Sequence, residues 1–133
     1  MEYHIEAGAK TRRYIEAVLP SMLTQLGLTR SRKLLMIKVD QDLAEQGTTI
    51  PLTGLDTFLV VLKPTRNWIN LGVTLAHELT HVAQFAQGTL QIAQKGKLWK
   101  GKLYKNNHPY LDQPWEIQAF AKQEIVFRRA IEL

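Results

Sequence analysis

The chain has 133 residues, 45% of them apolar and 22% charged, which suits one ordinary globular domain spanning 1–133 and excludes a multidomain machine, a repeat array or a disordered segment. It has no cysteine, so a disulfide framework, a thiolate zinc site, an iron–sulfur cluster and a Cys nucleophile are excluded, and any metal must be held by His, Asp or Glu. Lys and Arg number 17 against 12 Asp and Glu, an excess that suits an anionic partner but is shared by many domains that have none.

The opening run Met1 to Glu6 lacks the basic flank and apolar core of a signal peptide, and the longest purely apolar stretch is Phe58 to Leu62; the expectation is a cytoplasmic chain without a membrane segment. From Arg12 to Leu26 the apolar residues Ile15, Val18, Leu19, Met22 and Leu26 share one helical face, with Gly27 as the stop and Pro20 as a point of kinking or division. Leu34 to Val39 reads as a strand with Leu35, Ile37 and Val39 on one side, and Gln46-Gly47 marks a turn before a short strand near Thr49 to Leu52. Asp56 to Leu62 is the strongest strand, ended by Pro64.

The next helix runs from about Asn67 to Gln87, capped by Thr65 or Asn67 and stopped by Gly88. Its core side is Trp68, Leu71, Leu75, Leu79, Val82 and Ala86; the opposite side carries Asn70, Thr74, His77, His81 and Gln84. Leu98 to Tyr104 then reads as one lysine-bearing strand, Asn106 to Pro109 as a turn, and a last helix starts near Pro114 and continues towards Leu133. The expected architecture is α+β: a small, mainly antiparallel sheet packed against the long helix and the C-terminal helix.

Within the long helix stands His77-Glu78-Leu79-Thr80-His81, an HExxH motif. Residues four apart lie one turn above each other, so both imidazoles can reach one cation, while Glu78, rotated by about 100°, can lie beside a water on that cation. The spacing therefore describes a zinc site with a base attached. A catalytic zinc also needs a third protein ligand and an open position. Glu116 is the leading candidate, because it shares a stripe of the last helix with Ala119, Phe120, Phe127, Ala130 and Ile131, and a carboxylate carried inward must find a partner. His108 is the rival ligand, and Asp112 is expected to cap the last helix or accept a hydrogen bond from a ligand.

His77, Glu78 and His81, followed by Trp115-Glu116-x-x-Ala119, resemble the gluzincin group of zincin metallopeptidases. The long motif helix, the lysine-bearing strand and the Pro-Trp-Glu helix are also similar to small SprT-like or uncharacterised bacterial and phage metallopeptidases. The metzincin pattern is absent, since Gln84 and Gln87 stand where Gly and His would be required and no Met follows Met36. SprT-like enzymes often use a third His, so Glu116 follows the gluzincin pattern.

The resemblance implies a minimal zincin-like domain whose Zn2+, on His77, His81 and Glu116, serves peptide-bond hydrolysis with Glu78 as general base. Tyr110 is the leading oxyanion donor, ahead of His108 and Tyr104. The resemblance further implies that an extended peptide or protein substrate pairs with an edge strand, taken by position to be Thr57 to Leu62, whose apolar density equally suits an ordinary core strand. Gln84 either lines the site or is solvated, and the solvated reading is preferred.

No acidic residue occurs between Glu78 and Asp112, whereas Lys95, Lys97, Lys100, Lys102 and Lys105 gather around Trp99 and Tyr104. Lysines among aromatics suit nucleic acid, which raises the alternatives of a protease acting on DNA-associated proteins or a non-catalytic zinc-containing basic binding module. The favoured reading of the same lysines is protection of an exposed strand edge.

Overall fold

The computed structural model describes residues 1–52, 54 and 56–132. Its elements run β1 (Glu2–Glu6), α1 (Ala9–Gln25), β2 (Leu34–Val39), β3 (Gly47–Pro51), β4 (Thr57–Leu62), α2 (Trp68–Ala86), β5 (Leu90–Ala93), β6 (Gly96–Trp99), β7 (Lys102–Lys105) and α3 (Pro114–Ile131). The class is α+β, as the patterning predicts. The expected end of the last helix at Leu133 lies outside the described residues.

The main sheet has the order β1-β2-β4-β3. Its pairings β1–β2 and β2–β4 are parallel and only β3–β4 is antiparallel, so the sheet is mixed rather than mainly antiparallel. The physical reason is connectivity: α1 carries the chain back between β1 and β2, which lets those strands run the same way. β1 escapes sequence reading because its exposed Glu2, His4 and Glu6 leave only Tyr3 and Ile5 half-buried, too weak an alternation for a strand that depends on β2 for its hydrogen bonds.

Alternation along β2 buries Leu35 and Ile37 and turns Met36 and Lys38 outward, so the helices cover one face of the sheet. Ile15, Leu19 and Met22 of α1, Phe58, Val60 and Leu62 of β4, and Leu71, Leu75 and Leu79 of α2 complete one continuous core. α1 passes through Pro20 unbroken. α2 starts where Asn67 Oδ1 accepts from the Asn70 amide at 3.0 Å. Trp68, expected in the core, is instead 41% exposed at the first turn, its ring 4.9 Å from that of Tyr14.

Helices α2 and α3 lie against each other at Gly72, where a Cβ would stand 2.3 Å from the Phe127 ring. The missing side chain lets α3 cross over the polar side of α2. That crossing buries the two histidines.

The expected single strand Leu98 to Tyr104 is a hairpin, β6 and β7, with Lys100 (φ 50°) and Gly101 (φ 84°) at its tip. Two successive positive φ values give the twist that a tight hairpin needs. β5 joins them in a separate antiparallel three-stranded sheet. Among the described residues, no helix is long and apolar enough to cross a membrane.

Candidate metal centre

His77 and His81 project from consecutive turns of α2, and Glu116 from the first turn of α3. The three are 7%, 7% and 9% exposed. Glu116 Oε1 lies 2.9 Å from His77 Nε2 and 3.1 Å from His81 Nε2, and the two Nε2 atoms are 3.2 Å apart. Two ligand atoms in a tetrahedral shell, each about 2.0–2.1 Å from the metal, stand roughly 3.3 Å apart. The three atoms therefore already describe one face of such a shell, and His77, His81 and Glu116 lie close enough to hold a metal ion.

Hydrogen bonding on the far side of each ring explains why these atoms face inward. Gln84 Nε2 donates to the Trp115 carbonyl at 3.0 Å and to Gln118 Oε1 at 2.9 Å, which leaves its Oε1 to accept from His81 Nδ1 at 2.8 Å. His81 consequently holds a proton on Nδ1 and turns the lone pair of Nε2 towards the centre in its neutral form. Gln123 Oε1 stands 2.9 Å from His77 Nδ1 and does the same for that ring. Two imidazole lone pairs and a carboxylate oxygen meet within 3.2 Å, an arrangement that requires a proton or a cation between them. The donor set fits a metal.

Electrostatics describe the centre with a proton in that role. Burial pushes Glu116 up, but hydrogen bonds from His77 and His81 and their positive charge outweigh it and hold the carboxyl at about 2. Burial pushes His77 down, yet its bonds to Glu116 and Gln123 and the charge of Glu78 and Glu116 leave it above 6.5. Glu78, buried beside the same cluster, is raised above 4.5, chiefly by desolvation. Its Oε1 accepts from Thr49 Oγ1 at 2.8 Å, which leaves Oε2 uncommitted.

β3 holds that geometry. At Gly47 a Cβ would come within 2.8 Å of Thr74 Cγ2 and 3.0 Å of Glu78 Cγ, so a larger residue there would displace the carboxylate. Helix α2, β3 and α3 thus enclose a cavity of about 560 Å³ whose walls include Gly47, Thr49, His77, Glu78, His81 and Glu116.

Tyr110 also reaches the centre: its hydroxyl donates to Glu116 Oε1 at 3.2 Å, and burial together with that carboxylate pushes its pKa to about 12. His108 does not. Its Nε2 faces the Asp112 carbonyl at 3.2 Å, and among the described residues the cluster able to hold a metal consists of His77, His81 and Glu116. Asp112 does not cap α3, since Gln113 occupies the cap position.

Other expectations change with the packing. Gln84 is buried, 2% exposed, because α3 covers it. Phe120 and Ile131, expected inward, are 45% and 48% exposed; Phe120 packs its ring 4.7 Å from that of His77 at the cavity mouth. Strand Thr57–Leu62 is paired on both sides by β2 and β3, so it offers no free edge. β3 is the edge strand beside α2.

The lysines disperse. Lys102 and Lys105 lie on the edge strand β7, Lys100 at the hairpin tip over Trp99, and Lys97 in the central strand β6. Trp99 is buried rather than displayed.

Gln123 is a site residue that sequence reading missed, since a glutamine 46 positions from His77 carries no spacing signal; Gln84, nearly one turn from His81 on the same side of α2, was legible as a residue near the site but not as a hydrogen-bond partner of His81. Gln84→Leu is expected to lower metal affinity by about 10- to 100-fold, since His81 loses the acceptor that fixes its proton. Competition titration against a chromogenic chelator reads the change, and unchanged affinity would remove the positioning role. No family model matches this chain, and neither a curated protein nor a solved structure matches it significantly.

Proposed function

We propose that the protein is a zinc-dependent metallopeptidase. The observation that carries this reading is the convergence of His77 Nε2, His81 Nε2 and Glu116 Oε1 beside a buried carboxylate, Glu78, in an open cavity. Two imidazoles and one carboxylate suit zinc, with three protein ligands and room for water. When bound there, zinc supplies a polarised water of near-neutral pKa and a Lewis acid for the carbonyl oxygen.

The chain's own residues perform the proton work. Glu78 Oε2 takes a proton as the water oxygen bonds to the carbonyl carbon. It then delivers that proton to the departing amine as the C–N bond breaks. Thr49 holds the other oxygen, so the carboxylate keeps its orientation through both transfers. Tyr110, protonated up to about 12, serves as the hydrogen-bond donor to the developing oxyanion. The outer edge of β3 offers unpaired main-chain groups along the cavity, where an extended peptide can add as a further strand with little sequence demand.

The test is hydrolysis of an unstructured protein such as casein, together with a quenched fluorescent peptide library. Chelation should abolish cleavage and stoichiometric zinc should restore it. Cleavage that persists in chelator after the metal is shown to be absent would end the proposal.

A further inference from the structure

The cavity beside the candidate centre contains a positive charge that hydrolysis does not use. Lys97 lines it and is the one Lys or Arg among the described residues to do so. It sits on β6, the central strand of the three-stranded sheet, opposite Ile92 on β5 and Tyr104 on β7, so its backbone is held from both sides. Its ammonium lies 5.3 Å from the centre of the Trp115 ring, which is 3% exposed. That stacking limits the rotamers of an otherwise flexible side chain and lowers the entropy cost of fixing it on a ligand.

Lys97 is half-buried, and among the described residues it forms no ion pair. The two buried carboxylates of the cavity are already engaged: Glu78 with Thr49, and Glu116 with His77, His81 and Tyr110. A divalent cation on the cluster would balance those two carboxylates; the third carboxylate lining the cavity, Glu45, is exposed, and among the described residues no ion pair joins it to Lys97. The same wall contains an unsatisfied donor, since among the described residues Trp115 Nε1 is buried without a hydrogen-bond partner. An ammonium held against a buried ring and without an ion pair among the described residues gains from a carboxylate supplied by the ligand, because charge-assisted hydrogen bonds strengthen as the ligand excludes water.

Resting on the peptidase reading, we infer that Lys97 is a specificity-determining residue that binds a carboxylate of the peptide substrate within the cavity. An acidic side chain or the free C-terminus can supply that carboxylate. The mild basicity of the chain then has a specific use at one lysine, independent of the lysines on the β7 edge and at the hairpin tip.

The experiment uses short peptides that differ only by Glu against Gln, each with a free or an amidated C-terminus. Binding is measured by intrinsic tryptophan fluorescence on the zinc-loaded Glu78→Gln protein, so no turnover intervenes; kcat/KM is measured on the wild type. The expected result is at least about tenfold tighter binding of a carboxylate-bearing peptide over its neutral isostere. That ratio should fall below about twofold in Lys97→Gln and invert towards lysine-bearing peptides in Lys97→Glu.

Each ratio compares two ligands on one protein, so a reduced folded fraction does not imitate the effect. A preference confined to Glu over Gln identifies the side chain as the source, and one confined to acid over amide identifies the C-terminus; either supports the inference. Equal binding of charged and neutral peptides, a preference that survives Lys97→Gln, or no peptide binding at all overturns it. If binding discriminates but the wild type cleaves nothing, peptidase activity is refuted while carboxylate recognition by Lys97 stands. Cleavage without discrimination refutes carboxylate recognition by Lys97 while peptidase activity stands.

Discussion

Replacing Glu78 by Gln is expected to lower kcat for peptide hydrolysis by about 10²- to 10⁴-fold, the usual contribution of a positioned general base. Metal content should remain at one ion per chain, since Glu78 belongs to neither α3 nor the converging triad. Gln keeps the volume between Gly47 and Thr74 and can still accept from Thr49, so the loss reports proton transfer rather than collapse of the site.

Stability should move the other way. Burial raises the Glu78 pKa above 4.5, so its carboxyl contributes stability below that pH and loses the contribution as pH rises through the folded value. At neutral pH the metal-free Glu78→Gln protein should therefore unfold at a higher temperature than the metal-free wild type. Metal analysis, calorimetry and kcat together check the set, and a variant that retains more than a tenth of wild-type kcat would exclude Glu78 as the base.

Zinc at about a thousandfold above its dissociation constant should stabilise the folded protein by about 4 kcal/mol, which for a domain of this size raises Tm on the order of 10 °C. His77→Ala should abolish most of that shift, because it removes one of the three converging atoms and leaves Gln123 without its partner. The shift should also depend on pH in a defined direction. Without metal, Glu116 held at about 2 contributes stability above 4.5 that is lost as pH falls towards 2, and His77 contributes stability below 6.5 that is lost as pH rises through its raised value. The metal-free cluster is consequently favoured between about 4.5 and 6.5.

Metal must displace the proton from His77, so the gain on adding zinc should be small at pH 5.5 and grow towards pH 8, roughly tenfold in affinity per pH unit while one proton is released. Thermal scans with and without zinc across that range read the trend. A pH-independent shift, or an equal one in His77→Ala, would show that the metal binds elsewhere.

Several features of the site were legible because they are local. The periodicity of Leu71, Leu75, Leu79 and Val82 places His77 and His81 on one side of α2 without knowledge of any neighbour, and every one of those leucines is in the core. The stripe through Glu116, Ala119 and Phe127 likewise turns the carboxylate inward. The outer members of that stripe failed because Phe120 lines the cavity against the His77 ring rather than the core, and Ile131 is half exposed at the last residue of α3. Strands were less legible than helices. β1 and β5 are only five and four residues long, with at least half of their side chains exposed, and β1 takes its hydrogen bonds from β2, more than 25 residues away in sequence.

By itself, then, the sequence determined the ligand chemistry and the helical register: no cysteine, two histidines one turn apart, a carboxylate beside them and another on an inward stripe. Those properties follow from residue type and from the rotation per residue within one element. Only the tertiary structure decided that Glu116 rather than His108 completes the cluster, that Gln84 and Gln123 stand against the outer imidazole nitrogens, that β3 rather than β4 has the free edge, and that Lys97 lines the cavity. Each of these depends on which surfaces of α2, α3, β3 and β6 meet. Packing of that kind is set by the summed fit of the whole core, including a single missing Cβ at Gly72, and no spacing along the chain encodes it.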